Sequence, residues 1–289
     1  MSIILSGRFD RETAETLSDR ASQSDLLGYP ASATFEDPDD PSMWTVDIYP
    51  QDEHSLTVLI QELGDNAEQL EHKTLPDDID WVLEGLKDLK PVSVGRFFVH
   101  GAHDLDQVKP HQHAVQIDAN QAFGTGHHGT TAGCLDAIER VTKRHDFINI
   151  LDLGTGSGVL AAAVAKQTKR PVLATDIDET SVKIARENMV LNGVAQLVQC
   201  ETAAGFHHPV FTEKGPFGLV IANILAKPLQ TLAKPMSDHL AADATIILSG
   251  LLIHQKPAVL AAYRAQGALL VESIHREGWA TLILNRPKY

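Results

Sequence analysis

Asp152, Gly154, Gly156 and Gly158 alternate in the stretch INILDLGTGSG, and Asp176 follows eighteen residues after the last of these glycines. A glycine turn of this kind lets the backbone come close to a bound molecule, because a Cβ would occupy its space. A carboxylate such as Asp176 accepts hydrogen bonds from both hydroxyls of a ribose. The chemistry is that of holding a nucleoside-containing ligand. Two further places carry polar groups in suggestive settings. Asn223 ends the apolar run FGLVIAN, and residues 122–131 read AFGTGHHGTT. In the latter, Gly124 and Gly126 permit a tightly bent, exposed loop, and Thr130 or Thr131 suits the cap of the helix that follows. His100, His103, His111 and His113 show HxxH and HxH spacings. Neither pair sits on a clear helix, and no cysteine or carboxylate set completes a site, so surface or hydrogen-bonded histidines are expected and no metal.

The elements that must position these groups follow from the pattern. An apolar run over 148–153 enters the glycine turn, VLAAAVAKQ continues as a strong helix former, and PVLATDID is a second apolar run ending on Asp176 and Asp178. Strand, helix, strand is a βαβ unit, with the acids at the carboxyl edge, where open parallel sheets hold ligands. The dinucleotide fingerprint GxGxxG would need a glycine at Val159, which disfavours a nicotinamide-dependent oxidoreductase. The pattern DxGxGxG instead resembles class I S-adenosylmethionine-dependent methyltransferases.

Composition sets the bounds. A chain of 289 residues accommodates two domains. The absence of a long apolar run or a signal-like N-terminus predicts a cytoplasmic protein with no membrane association. Cys134 and Cys200 read as reduced, packed thiols. The net charge of −14 is uneven: through Val92 there are 21 acidic and 6 basic residues, and from Ser93 onward 17 and 18. An acidic first third repels nucleic acid and attracts a basic partner, or is simply a solvated surface.

In chain order the reading is as follows. A strand over 2–9, a helix capped by Asp10, strands at 32–35 and 44–49, a helix over 55–63 stopped by Gly64, and a strand near 69–74 give the order βαββαβ of a ferredoxin-like domain over 1–75. Residues 76–92 read as a linker helix ended by Pro91, a pattern that a helix packed into the second domain would share. The second domain, 93–289, opens with strand-like runs over 94–101 and 113–118. After the βαβ unit come a helix over 179–193 with Thr180 or Ser181 near its cap, a strand near 197–200, and a loop over 201–216. A strand to Asn223, a helix from Pro228, a strand over 244–250, a helix from Lys256 and a closing hairpin complete it. The fold class predicted is α/β, a Rossmann-like doubly wound sheet with a small N-terminal α+β domain.

AFGTGHHGTT, DLGTGSG, TDID, ARENMVLNG and VIANILAKPL, in this order and at these separations, resemble the bacterial ribosomal-protein methyltransferase family PrmA. Where family members often have DPGLAFGTGTHPTT, this chain has DANQAFGTGHHGTT. The family's substrate is the eleventh protein of the large ribosomal subunit, methylated on lysine and N-terminal amines, and its small first domain recognises that protein. The resemblance implies S-adenosylmethionine as cofactor, bound by Thr131, Gly154, Gly156, Gly158, Asp176 and Asn223. It implies a lid or acceptor channel at Phe123, Gly124 and Thr125 beside Asn223, where catalysis takes place. A lysine methyltransferase of the electron transfer flavoprotein β-subunit shares this catalytic domain, and a module that binds cofactor without turnover would share its motifs.

Overall fold

The computed structural model describes residues 2–22, 31–37, 40, 42–50, 53–75, 91–117 and 128–287. Most of the expected linker helix, residues 76–90, lies outside these, as do Phe123, Gly124 and Thr125. The chain forms two compact units, Met1–Trp81 and Val82–Tyr289.

The first unit runs β1 (Ser2–Asp10), α1 (Arg11–Ser22), β2 (Ala31–Glu36), β3 (Met43–Tyr49), α2 (Glu53–Leu63) and β4 (Glu71–Leu75). Its antiparallel sheet has the order β2-β3-β1-β4, the ferredoxin-like arrangement. Asp10 caps α1, its carboxylate accepting from Thr13 N at 3.0 Å and from the Thr13 hydroxyl at 2.7 Å. Alternation on β3 sends Val46 and Ile48 to one face, where they pack with Leu5, Phe9, Leu17 and Leu59. Each such side chain contributes about 1.5–3 kcal/mol by leaving water. Not all the acid here is free surface: Asp37 is buried and pairs with Arg8 at 2.7 Å.

The second unit begins with β5 (Val92–Val94), β6 (Phe97–His100) and β7 (His113–Gln116) in a three-stranded sheet. The single strand expected over 94–101 is broken by a turn at Gly95, whose φ of +53° sends the chain back on itself. Then follow α3 (His128–Thr142), β8 (Ile150–Leu153), α4 (Val159–Thr168), β9 (Val172–Asp176), α5 (Glu179–Leu191), β10 (Val198–Thr202), α6 (Val210–Lys214) and β11 (Phe217–Asn223). The chain closes with α7 (Ala226–Asp238), β12 (Leu240–Leu252), α8 (Lys256–Arg264), β13 (Leu269–Arg276) and β14 (Trp279–Arg286). The main sheet has the order β10-β9-β8-β11-β12-β14-β13. It is parallel from β10 to β12, while β14 runs antiparallel to both its neighbours.

Both faces of the sheet's centre are covered, which is why β8, β9 and β11 are almost wholly buried. On β11, Leu219 and Ile221 face a core built with Leu135, Ile138, Leu160 and Val182 of α3, α4 and α5. Val220 and Ala222 face the opposite core, with Leu229, Met236, Val259 and Tyr263 of α7 and α8. This is the doubly wound arrangement. Several local expectations are corrected. Ile148 is 72 % exposed and precedes β8. The expected loop over 201–216 contains α6. Helix α3 starts at His128, so Thr130 and Thr131 lie inside its first turn rather than capping it. The cap of α5 is Asp178, which accepts from Thr180 N at 3.1 Å and Ser181 N at 2.9 Å; Thr180 and Ser181, expected near the cap, follow it by two and three residues.

Candidate functional site

The carboxyl edge of the main sheet gathers the chemistry. β8 ends at Leu153 and passes into a turn in which Gly154, Gly156 and Gly158 take φ of +73°, +53° and +84°. At Gly154 an added Cβ would lie 2.3 Å from Ile224 Cγ2, and at Gly158 2.5 Å from Met189 Cε. These two glycines are therefore required by their left-handed backbone and by close packing within the protein itself, in addition to any ligand.

Asp176 ends β9 beside this turn. Its Oδ2 accepts from Gly156 N at 2.8 Å and its Oδ1 from Asp178 N at 3.1 Å. Two backbone donors hold the carboxylate in place, and each oxygen keeps lone pairs for further hydroxyl donors. Deeper in, Asp152 is 1 % exposed. Its Oδ2 accepts from the Thr155 hydroxyl at 2.6 Å and Ala161 N at 3.0 Å, while Oδ1 has no partner among the described residues. Burial pushes this carboxyl up to about 7; the bonds from Thr155 and Ala161 oppose the rise and the charge of Asp176 adds to it. Asn188 on α5 donates to Ser157 O at 2.9 Å, tying the glycine turn to the next helix.

Asn223 ends β11 at the same edge. Its Nδ2 donates to Thr130 Oγ1 at 3.4 Å, which brings it to the start of α3, where Thr130 and Thr131 are both buried. The structure thus brings Gly154, Gly156, Gly158 and Asp176 together on adjacent strands, with Asn223 and the Thr130–Thr131 turn along the same edge. Phe123, Gly124 and Thr125 lie outside the described residues. The capping role of Asp178 escaped the sequence reading, as did Asn188, Ser249 and Gly250. The signal for the last two was a serine–glycine pair interrupting an apolar strand.

The histidines form no such cluster. His100 is buried rather than superficial, sharing a 2.7 Å hydrogen bond between Nδ1 and Gly101 O. His103 lies 3.0 Å from Asp104 and His113 tilts against Phe97. Among the described residues no three His, Cys, Asp or Glu side chains are grouped to hold a metal. Cys134 and Cys200 are free and buried, and burial pushes their thiols up to about 12 and about 11.

An edge with a glycine turn, a held carboxylate and a polar strand end fits a nucleoside cofactor, and comparison with known proteins gives it a family. Residues 16–287 match the family described as Ribosomal protein L11 methyltransferase (PrmA). The chain belongs to this family. A PrmA relative from Rhizobium leguminosarum bv. trifolii, named ribosomal protein L11 methyltransferase, is 48% identical over 263 residues, 89% of each chain. One of the same name from Brucella suis is 47% identical over 257 residues, 89% of this chain and 90% of the relative. The crystal structure of a ribosomal protein L11 methylase from Lactobacillus delbrueckii subsp. bulgaricus has a TM-score of 0.62 at 29% identity, covering 69% of this chain and all of that one. Membership in PrmA makes the chain an S-adenosylmethionine-dependent methyltransferase of the Rossmann-like class.

Proposed function

We propose that this enzyme methylates amines of ribosomal protein L11, on lysine side chains or the N-terminus, in the cytoplasm. The observation that carries the substrate is the match with an L11 methyltransferase over 89% of both chains. When bound, S-adenosylmethionine supplies a methyl group on a positively charged sulfur whose departure leaves a neutral thioether. The chain's own residues then have a positioning task. Asp176, held by Gly156 and Asp178, accepts the ribose hydroxyls. The turn at Gly154, Gly156 and Gly158 brings backbone N–H groups and the start of α4 to the cofactor, and Thr131 lines it. Asn223 flanks the acceptor amine; the family resemblance gives the same part to Phe123, Gly124 and Thr125, which lie outside the described residues.

An ammonium has no lone pair to give. An unperturbed lysine costs about 4.6 kcal/mol to deprotonate at neutral pH. Desolvation beside a positive sulfur lowers that cost by disfavouring the cation, so no dedicated base is required. The acidic first 92 residues suit a basic protein substrate and disfavour nucleic acid. Among the described residues no helix is long and apolar enough to cross a membrane. The test is transfer of labelled methyl from S-adenosylmethionine into purified L11, with the electron transfer flavoprotein β-subunit in parallel. Label in L11 alone is the expected result. Label in the flavoprotein subunit alone would move the substrate, and label in neither would leave a binding module.

A further inference from the structure

We infer that the bulge at Ser249–Gly250 on β12 is a positioning device that sets the amide of Asn223. The inference rests on the role given above to Asn223, and starts from the backbone. β12 pairs with β14 in regular register up to Leu248 and again from Leu251, with an irregularity between. A bulge of this kind bends a strand and re-aims its side chains. On its other side β12 pairs with β11, and there Ser249 is the direct partner of Asn223.

Gly250 has a φ of +82°, and a Cβ built on it would lie 2.4 Å from Ile224 O, 2.8 Å from Ile224 C and 3.0 Å from Ile224 N. The obstacle is main chain, which cannot step aside as a side chain would. From the opposite side Gly154 leaves room for Ile224 Cγ2. The residue after Asn223 is thus clamped between two glycines, one from the cofactor turn and one from the bulge.

The side chain is set by hydroxyls. Ser249, fully buried, places its Oγ 2.9 Å from Thr281 Oγ1 and donates to Thr130 O at 3.4 Å. Room for Thr281 exists only because residue 133 is glycine: a Cβ there would lie 2.2 Å from Thr281 Oγ1. Thr130, held this way, accepts from Asn223 Nδ2 at 3.4 Å. With Nδ2 committed to Thr130, Oδ1 is the amide's free acceptor among the described residues. An acceptor amine needs such an oxygen to take one N–H and turn its lone pair toward the methyl group. The two 3.4 Å contacts are long, as hydrogen bonds at reaction centres commonly are before substrate is bound.

The experiment is a set of double-mutant cycles on methylation of L11, read as kcat, KM for L11 and Kd for S-adenosylmethionine. Asn223→Ala, Ser249→Ala, Thr281→Val and Gly250→Ala are measured alone, and the last three again in the Asn223→Ala background. Thr281→Val keeps the shape and loses the hydroxyl, and Thr281→Ser serves as the conservative rescue. We expect kcat to fall at least 5-fold, in order of magnitude, in Ser249→Ala and Thr281→Val and further in Gly250→Ala, with Thr281→Ser near wild type. Once Asn223 is alanine these losses should largely disappear, because groups acting through one residue are not additive. Should Gly250→Ala not fold, the serine and threonine variants still decide. Full losses that persist in the Asn223→Ala background would overturn the positioning role while leaving Asn223 in the site. An Asn223→Ala enzyme as active as wild type would remove the reading on which the inference stands.

Discussion

Asp176 and Asp152 are two carboxylates in one site with opposite tasks, and their surroundings say which is which. Asp176 is partly open and held by two backbone N–H groups, so it stays available to donors from a ligand. Replacing it with alanine should weaken S-adenosylmethionine by about 1.5–3 kcal/mol, the worth of hydrogen bonds to a charged group. Titration calorimetry on the folded variant measures this; unchanged affinity would take Asp176 out of the site. Asp152 is sealed in, and burial pushes it up to about 7 from an ordinary 3.8. A native pKa above the unfolded one means that between about pH 4 and about pH 7 the folded chain keeps a proton that the unfolded chain has released. This group therefore makes stability fall as pH rises through that window. Asp152→Asn imitates the protonated acid and still accepts from Thr155 and Ala161. Its melting temperature should vary less than that of wild type over the same window, and parallel curves for the two proteins would refute the assignment.

At the scale of elements, the main βαβ unit was legible because its apolar runs, glycines and acids fall where a parallel sheet requires them. The caps were less so. Asp178, Thr180 and Ser181 are all chemically suited to cap α5, and only the backbone geometry shows that the aspartate does it. Asp178→Ala should cost about 1 kcal/mol of stability through the lost cap, measured by denaturant titration. Thr130 and Thr131 misled for a related reason: α3 starts two residues earlier, and the Thr130 hydroxyl accepts from Asn223 of β11 instead of capping the helix. The hairpin at β5–β6 was hidden because a single glycine in a valine- and phenylalanine-rich run looks like strand until its positive φ is known. The bulge at Ser249–Gly250 left only a serine–glycine pair in an apolar run as its trace. What requires glycine there is the main chain of Ile224, distant in sequence, and periodicity carries no information about such contacts.

At the scale of the molecule, the charge count was plain in the sequence, but what each acid does was not. Asp37 is committed to Arg8 and Asp10 to the start of α1, whereas Glu12 and Glu71 are exposed. If the acidic first unit guides a basic substrate, Glu12→Lys with Glu71→Lys should slow association with L11 and flatten its salt dependence, because surface fields are screened over about 8 Å at physiological ionic strength. S-adenosylmethionine affinity should stay the same. Stopped-flow association at low and high salt reads this directly, and identical rates for both proteins would leave that acidity as a solvated surface. The central claim, methylation of L11 by this chain, is met most directly by the intact mass of L11 from cells with and without its gene. L11 from the deletion strain should be lighter by whole methyl increments, restored by the wild-type gene and not by Asn223→Ala. L11 of unchanged mass in the deletion strain would contradict the account.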